Sequence, residues 1–170
     1  MNRRQQIALV VLRTLVGWHF LYEGYVKILN PAWGRDGYPL AAWSSAGYLK
    51  AATGPLGGLF HSLGMVSWLG QVDIAIAALL IAIGLSLMLG LFTQLGCAAA
   101  IGLLALFYLS AIPFGVPDAH AEGAYLFVNK NLIELAAVAV VFTFRTGRIA
   151  GLDAWHVRSR AYATVKEATV

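Results

Sequence analysis

Charged residues are scarce in this sequence. Asp, Glu, Lys and Arg make up 12% of the 170 residues, whereas 59% are hydrophobic, and the mean hydropathy is +0.72. So few polar side chains cannot cover the surface of one soluble domain of this length. The composition therefore excludes a water-soluble protein and indicates that lipid solvates much of the chain.

Cysteine is almost absent as well. The single cysteine, Cys97, lies in an apolar run, so the chain has no disulfide framework, no Cys/His zinc spacing and no dithiol pair of its own. The sequence also lacks a CxxCH haem attachment, a cysteine set for an iron–sulfur cluster and a dinucleotide-binding glycine pattern. We therefore predict no metal site and expect Cys97 to be a small packing residue.

Basic residues lie mostly near the two ends of the chain and are not interleaved with aromatics, a distribution that argues against nucleic-acid binding. They are Arg3 and Arg4 before the first apolar run, and Arg145, Arg148, Arg158, Arg160 and Lys166 after the last. Such clusters are typical of cytoplasmic anchors. We therefore expect a multi-pass protein of the cytoplasmic (inner) membrane, with both termini and the tail 145–170 on the cytoplasmic side.

Four apolar segments are long enough to cross a bilayer, which takes about 20 residues. They are 7–29, 65–92, 95–112 and 123–144. Thr93 and Gln94 alone separate the second segment from the third, which predicts a tight helical hairpin. The expected fold is all-α: one integral membrane four-helix bundle over residues 1–170.

The connection 30–64 between the first two segments is long and rich in aromatic residues. Its length and composition argue against a plain linker, and the orientation above makes it exoplasmic. We expect this loop to lie on the membrane surface as a lid, with a short helix around 40–52.

Polar and ionisable residues recur inside the spanning segments, although a charge at the bilayer centre costs roughly 2.5–3.5 kcal/mol. They are Arg13, His19, Glu23 and Lys27 in the first segment, Asp73 in the second, and Asn129, Lys130, Asn131 and Glu134 in the fourth. Those of the first segment share one face at about 100° per residue. Five of them fall in the outer half of the membrane and can meet there, whereas Arg13 lies deeper toward the cytoplasm. The five are Glu23, Lys27, Asp73, Lys130 and Glu134.

Two interpretations of this cluster are open. In one, its charge pairs only fix helix register and orientation. In the other, it lines an outward-opening pocket that binds a redox-active head group or handles protons; a histidine suits that role because it exchanges protons near neutral pH. The catalytic candidates are then His19, Glu23, Asp73 and Glu134, and the substrate-binding candidates are Arg13, Lys27, Asn129, Lys130 and Asn131.

Three stretches carry a further pattern. They are the first helix with Arg13, Gly17, Phe20, Glu23, Gly24 and Lys27, the loop stretch 46–56 (AGYLKAATGPL), and the run 122–134 (EGAYLFVNKNLIE). Together they resemble the DoxX/DoxD family of small membrane proteins over nearly the whole chain. The resemblance implies a four-helix membrane protein and, for the DoxD-like branch, the large subunit of a thiosulfate:quinone oxidoreductase that works with a smaller partner subunit.

The function expected first is therefore a membrane subunit of a quinone-linked oxidoreductase, with quinone as cofactor and a second protein subunit as partner. Two alternatives stay open. One is a non-catalytic membrane scaffold that anchors an exported redox partner. The other is a small-solute or proton carrier, for which the intramembrane carboxylates and lysines would be relay groups.

Overall fold

The structure, a computed structural model, describes residues 1–29, 44–110, 124–125, 127–155 and 159. The described chain is mostly helical. Its elements are α1 (Arg3–Leu29), α2 (Ala46–Lys50), α3 (Gly57–Leu63), α4 (Leu69–Leu89), α5 (Thr93–Ser110), β1 (Ala124–Tyr125), β2 (Val128–Asn129), α6 (Lys130–Thr143) and a turn of 3-10 helix at Thr146–Arg148. The first part of the predicted lid (30–43), the segment 111–123 and the tail beyond 155, apart from residue 159, lie outside the described residues.

The amino-terminal end of α1 extends beyond the predicted segment, because Asn2 and Gln5 cap it. The amide of Gln5 donates to Asn2 Oδ1 at 2.9 Å, and the amide of Asn2 donates to Gln5 Oε1 at 2.9 Å. This reciprocal pair is a capping box, which satisfies amides that have no carbonyl partner within the helix.

The predicted tight hairpin between the second and third apolar segments is present. α4 ends at Leu89, where Gly90 adopts a left-handed conformation with φ of 64°, and α5 begins at Thr93. Glycine adopts this conformation without the steric cost that a Cβ brings. The connection therefore consists of residues 90–92, and Thr93 and Gln94, which the sequence placed in the turn, belong to the first turn of α5.

The fourth predicted segment is helical only in part. The expectation of helix from 123 onward is wrong at 124–125 and 128–129, where β1 and β2 pair antiparallel. α6 begins only at Lys130, because Asn129 is extended (φ −127°, ψ 174°) and its side chain accepts a hydrogen bond from Leu132 N. An asparagine at this position is a preferred helix N-cap. The polar residues at 129–131 therefore mark the start of a helix within the segment.

Three helices are long and apolar enough to cross a membrane within the described chain. They are Arg3–Ile28, Leu69–Leu89 and Thr93–Ser110. α6 has 14 residues, about 21 Å at 1.5 Å per residue, and is shorter than a hydrocarbon core of about 30 Å. The described chain is therefore that of a helical membrane protein with three candidate spans.

The long helices pack around one apolar core. α1 packs mainly on α4, and α5 packs mainly on α6. Gly24 of α1 lies against Ala77 and Ile81, and Gly84 of α4 lies against the backbone of Leu21. Small residues at such contacts allow helices to approach closely where lipid removes the hydrophobic driving force. Cys97 is fully buried in this core and free, which confirms the expected packing role.

α2 and α3 form a smaller layer over one end of the long helices. Leu49, Ala52 and Phe60 make a second apolar cluster there. The Gly54 amide donates to the Ser110 carbonyl at 3.0 Å, and the Tyr48 hydroxyl bonds to Ser110 Oγ and, at 3.3 Å, to the Phe107 carbonyl. This layer, called the lid below (residues 44–64), is therefore fastened to the end of α5. Of the predicted helix at 40–52, the described part is helical over Ala46–Lys50.

Candidate ligand pocket

A pocket of about 460 Å³ lies between the long helices and the lid. Its walls come from α1, α4, α5 and α6, and the lid covers it. Most of its surface is apolar, with Phe20, Leu80, Leu104 and Phe107 among the lining side chains. A predominantly apolar cavity of this size with a few convergent polar groups is typical of a small-molecule binding site.

The polar groups of the pocket join α1 to α6. His19 Nδ1 lies 2.6 Å from Glu134 Oε1, and His19 Nε2 lies 3.8 Å from Glu23 Oε1. Lys27 Nζ donates to Glu23 Oε2 at 2.6 Å. A row of ionisable side chains, Lys27–Glu23–His19–Glu134, therefore crosses from one helix to the other. Such pairing offsets much of the cost of keeping charged groups away from water.

Helix geometry explains this row. His19, Glu23 and Lys27 follow one another at intervals of four residues, and residues four apart are neighbours on one face of a helix. Glu134 lies one turn into α6, beyond the Asn129 cap. The side chain of Glu134 is 13% exposed, whereas that of His19 is 45% exposed. Glu134 is thus the inner member of the row and His19 the outer one.

Lys130 and Asn131 also line the pocket. The sequence places Lys130 four residues before Glu134, a spacing that favours an ion pair, but Glu134 bonds to His19 instead. Within the described part of the chain, no carboxylate lies within 4.0 Å of the Lys130 ammonium. Lys130 and Asn131 therefore present hydrogen-bond donors at the start of α6, where the helix dipole also favours negative charge.

Asp73 does not line the pocket, although the sequence grouped it with the catalytic candidates. It is 5% exposed, and its Oδ1 accepts hydrogen bonds from the hydroxyl and, at 3.2 Å, the amide of Ser45. Ser45 does line the pocket. Asp73 therefore fixes the lid onto α4, a tertiary contact that helix spacing could not reveal because Ser45 lies in a connection.

Asn129 and Arg13, two predicted substrate-binding residues, are also used elsewhere. Asn129 caps α6 through its side chain. Arg13 is 3% exposed and donates from Nη1 to the carbonyls of Thr146 at 3.0 Å and Ala150 at 2.6 Å. The prediction that Arg13 reaches the ligand is corrected, because it ties α1 to the segment after α6 at the opposite end of the helices.

Sequence reasoning missed Asp153, the centre of that opposite end. Its carboxylate accepts from the amides of Phe92 at 2.8 Å and Thr93 at 2.9 Å, which caps α5 from far along the chain. The Asp153 amide in turn donates to the Gly90 carbonyl at 2.8 Å. Its position as an acidic residue within a basic tail was the feature of the sequence that could have pointed to it. We call Arg13, Gly90, Thr93, Thr146 and Asp153 the junction.

The protonation of Asp153 is tied to this junction. Partial burial by itself would raise the pKa of the Asp153 carboxyl, but hydrogen bonds from Thr93 and Phe92, with the positive charge of Arg13, lower that pKa below its usual range. The carboxylate form is therefore the one that the folded junction favours.

The described residues contain no group of three or more His, Cys, Asp or Glu side chains arranged to hold a metal ion. Comparisons of the chain with protein families, with curated proteins and with solved structures find no match.

Proposed function

We propose that this chain is a membrane subunit of a quinone-linked oxidoreductase, similar to the large subunit of a thiosulfate:quinone oxidoreductase, and that its pocket holds a quinone head group. One observation carries the proposal. The His19–Glu134 hydrogen bond lies at the polar end of an otherwise apolar cavity of about 460 Å³. This arrangement combines apolar surface for a ring and chain with groups that exchange protons.

The proposed membrane arrangement is a four-helix bundle. α6 serves as a fourth, short crossing, with β1 and β2 at its outer end. Arg3 and Arg4 before the first span, and Arg145 and Arg148 after α6, favour both termini on the cytoplasmic side of the inner membrane. The lid and the polar end of the pocket then lie toward the exoplasmic side.

The residues present fit a quinone. When bound, such a ring supplies two-electron, two-proton redox chemistry. Lys130 and Asn131 can donate hydrogen bonds to a ring oxygen, and Phe20 and Phe107 offer apolar faces beside it. His19 can hold a proton on either ring nitrogen, and Glu134 orients the ring by bonding to Nδ1. Glu23 and Lys27 form an ion pair at the other end of the row.

The electron donor is proposed to act through a second subunit. The sequence carries no haem-attachment, iron–sulfur or dinucleotide motif, so electrons from thiosulfate would reach the quinone through a partner. We expect a partner to copurify in stoichiometric amount. The complex of the two should reduce quinone when thiosulfate is supplied. Reduction by this chain alone would contradict the two-subunit arrangement.

Quinone binding is tested most simply with a soluble short-chain analogue such as decylubiquinone, titrated into the protein in nanodiscs. Replacing His19 by Leu removes the hydrogen bond with little change in volume, and we expect affinity to fall about tenfold, as for loss of about 1.4 kcal/mol. His61→Leu is the matched control, because His61 bonds the Ala52 carbonyl on the lid and does not line the pocket. Equal affinity in both variants would refute the assignment.

A proton carrier is the second candidate, favoured by the row Lys27–Glu23–His19–Glu134. Ionisable groups in series within a membrane can relay protons. Proton flux into vesicles that contain only this chain, lost in Glu134→Gln, would support the carrier. Tight binding of quinone without proton flux would support the oxidoreductase subunit.

A further inference from the structure

The position of His19 along and around α1 indicates how a ligand reaches the pocket. His19 lies ten residues before Leu29 and sixteen after Arg3, about 15 Å and about 24 Å along the helix. In a hydrocarbon core of about 30 Å, the polar row therefore begins near mid-depth. Lipid chains, not bulk water, surround the outside of the protein at this level.

His19 also lies at the edge of the buried face of α1. Leu15, Trp18 and Tyr22 are exposed at 62%, 55% and 43%, while Phe20 and Gly24 are buried. At about 100° per residue, His19 falls between these two arcs, and Glu23 and Lys27 fall progressively nearer the buried one. The polar row thus runs from the lipid-facing flank of the helix into the pocket.

The flank in question is the seam between α1 and α6, which the His19–Glu134 hydrogen bond crosses. The side chains of His19 and Glu23 remain 45% and 41% exposed there. On the α5 side, by contrast, Tyr48 of the lid is bonded to Ser110 and to the Phe107 carbonyl. The lid is therefore tied down on that side, whereas the α1–α6 seam presents polar groups at the protein surface.

We infer that the α1–α6 seam at His19 and Glu23 is a lateral portal, through which a lipid-soluble amphiphile with a hydrogen-bonding head group enters the pocket from the bilayer. The inference rests on the proposed function for the identity of the head group. His19 Nε2 and Glu23 Oε1 lie 3.8 Å apart, too far for a hydrogen bond, and polar atoms left in that state are costly against hydrocarbon alone. A head group that passes the seam satisfies them, and the apolar wall behind Phe20 receives the rest of the molecule.

Carbodiimides of opposite solubility test the portal without any quinone. In nanodiscs, lipid-soluble dicyclohexylcarbodiimide should modify Glu23 several-fold faster than a charged, water-soluble carbodiimide does. Mass spectrometry detects the product as a reagent adduct on Glu23 or as an amide link from Glu23 to Lys27. Glu23→Gln should lose this modification. Asp153 in the junction, outside the spans, is the internal control and should prefer the water-soluble reagent.

A fluorescent reporter gives a second, independent measurement. In a Cys97→Ala background, bimane attached at His19→Cys should be quenched by a nitroxide in the middle of a lipid chain, as bimane at Leu15→Cys should be. Bimane at His61→Cys on the lid should instead be quenched by aqueous iodide. If neither carbodiimide modifies Glu23, quenching of bimane at position 19 decides whether the seam faces lipid.

Faster modification of Glu23 by the water-soluble reagent, or iodide quenching without nitroxide quenching at position 19, overturns the portal. Because neither measurement contains quinone, the portal can fail while quinone binding stands, and quinone binding can fail while the portal stands. A seam covered by a second copy or a partner would protect position 19 from both quenchers, and that result also overturns the inference.

Discussion

The Nδ1 atom of His19 lies 2.6 Å from Oε1 of Glu134, two residues separated by 115 positions in the sequence. This hydrogen bond connects α1 to α6 at the polar end of the pocket. Neither helix alone provides the arrangement, because the ionisable neighbour of His19 on its own helix is Glu23, with Nε2 and Oε1 3.8 Å apart. The pocket chemistry is thus a product of tertiary packing.

Coupling between His19 and Glu134 should be measurable in a double-mutant cycle. His19→Leu and Glu134→Gln each remove one partner, and the pair should couple by about 1 kcal/mol, as interhelical hydrogen bonds in membranes do. The free energy of unfolding in mixed micelles is the quantity to measure. Additive effects of the two substitutions would show that the contact does not stabilise the fold.

Loss of the Asp73 carboxylate should loosen the lid without emptying the pocket. Asp73→Ala leaves the Ser45 amide without its acceptor, so hydrogen exchange at Ser45 should accelerate by about tenfold or more, corresponding to about 1.5 kcal/mol or above. Gln71→Ala, at an exposed position of the same helix, is the control and should leave this exchange unchanged. Equal exchange rates in both variants would contradict the role assigned to Asp73.

Two glycine substitutions should act in opposite directions. A Cβ at Gly84 would meet the backbone of Leu21, whereas a Cβ at Gly102 meets nothing within 4 Å. Gly84→Ala should therefore separate α1 from α4 and destabilise the protein by about 1–3 kcal/mol. Gly102→Ala should stabilise it by up to about 1 kcal/mol, since alanine is the better helix former. Thermal unfolding in detergent distinguishes the two, and equal shifts would argue against the described α1–α4 packing.

The junction should weaken in acid. Because the pKa of Asp153 is lowered on folding, the carboxylate contributes stability above the pKa of the unfolded chain, about 3.9 for aspartate, and this contribution is lost as pH falls through the lower, folded-state pKa. Asp153→Asn keeps one oxygen acceptor but removes the second one and the negative charge beside Arg13, so it should cost about 1 kcal/mol near neutral pH. Thermal unfolding of the unsubstituted protein and of Asp153→Asn, measured against pH, tests this prediction. The difference in stability between the two should disappear in acid, and a difference that does not depend on pH would contradict the role of the carboxylate.

The sequence predicted best those elements that depend on neighbouring residues alone. The apolar runs predicted α1, α4 and α5, and the interruption at Thr93 and Gln94 predicted the hairpin. The start of α6 was missed because hydropathy assigns Asn129, Lys130 and Asn131 to one spanning helix, whereas Asn129 caps a helix that begins at Lys130.

Contacts between segments that are distant in the sequence were much harder to predict. The spacing of His19, Glu23 and Lys27 predicted their shared face. The partners of Asp73 and Arg13 could not be predicted, since one is a serine in a connection and the others are backbone carbonyls. Every residue has a backbone carbonyl, so residue types do not reveal which carbonyl an arginine will bond. From the sequence, an arginine that binds a ligand therefore cannot be distinguished from one that holds two segments together.

The central claim is that a quinone head group binds between α1 and α6, and photolabelling with an azidoquinone in nanodiscs tests it most directly. The account predicts label in peptides that contain His19–Lys27 or Lys130–Glu134, reduced by excess unlabelled quinone and weakened in His19→Leu but not in His61→Leu. Label confined to other helices, or label at these peptides that excess quinone does not displace, would contradict it.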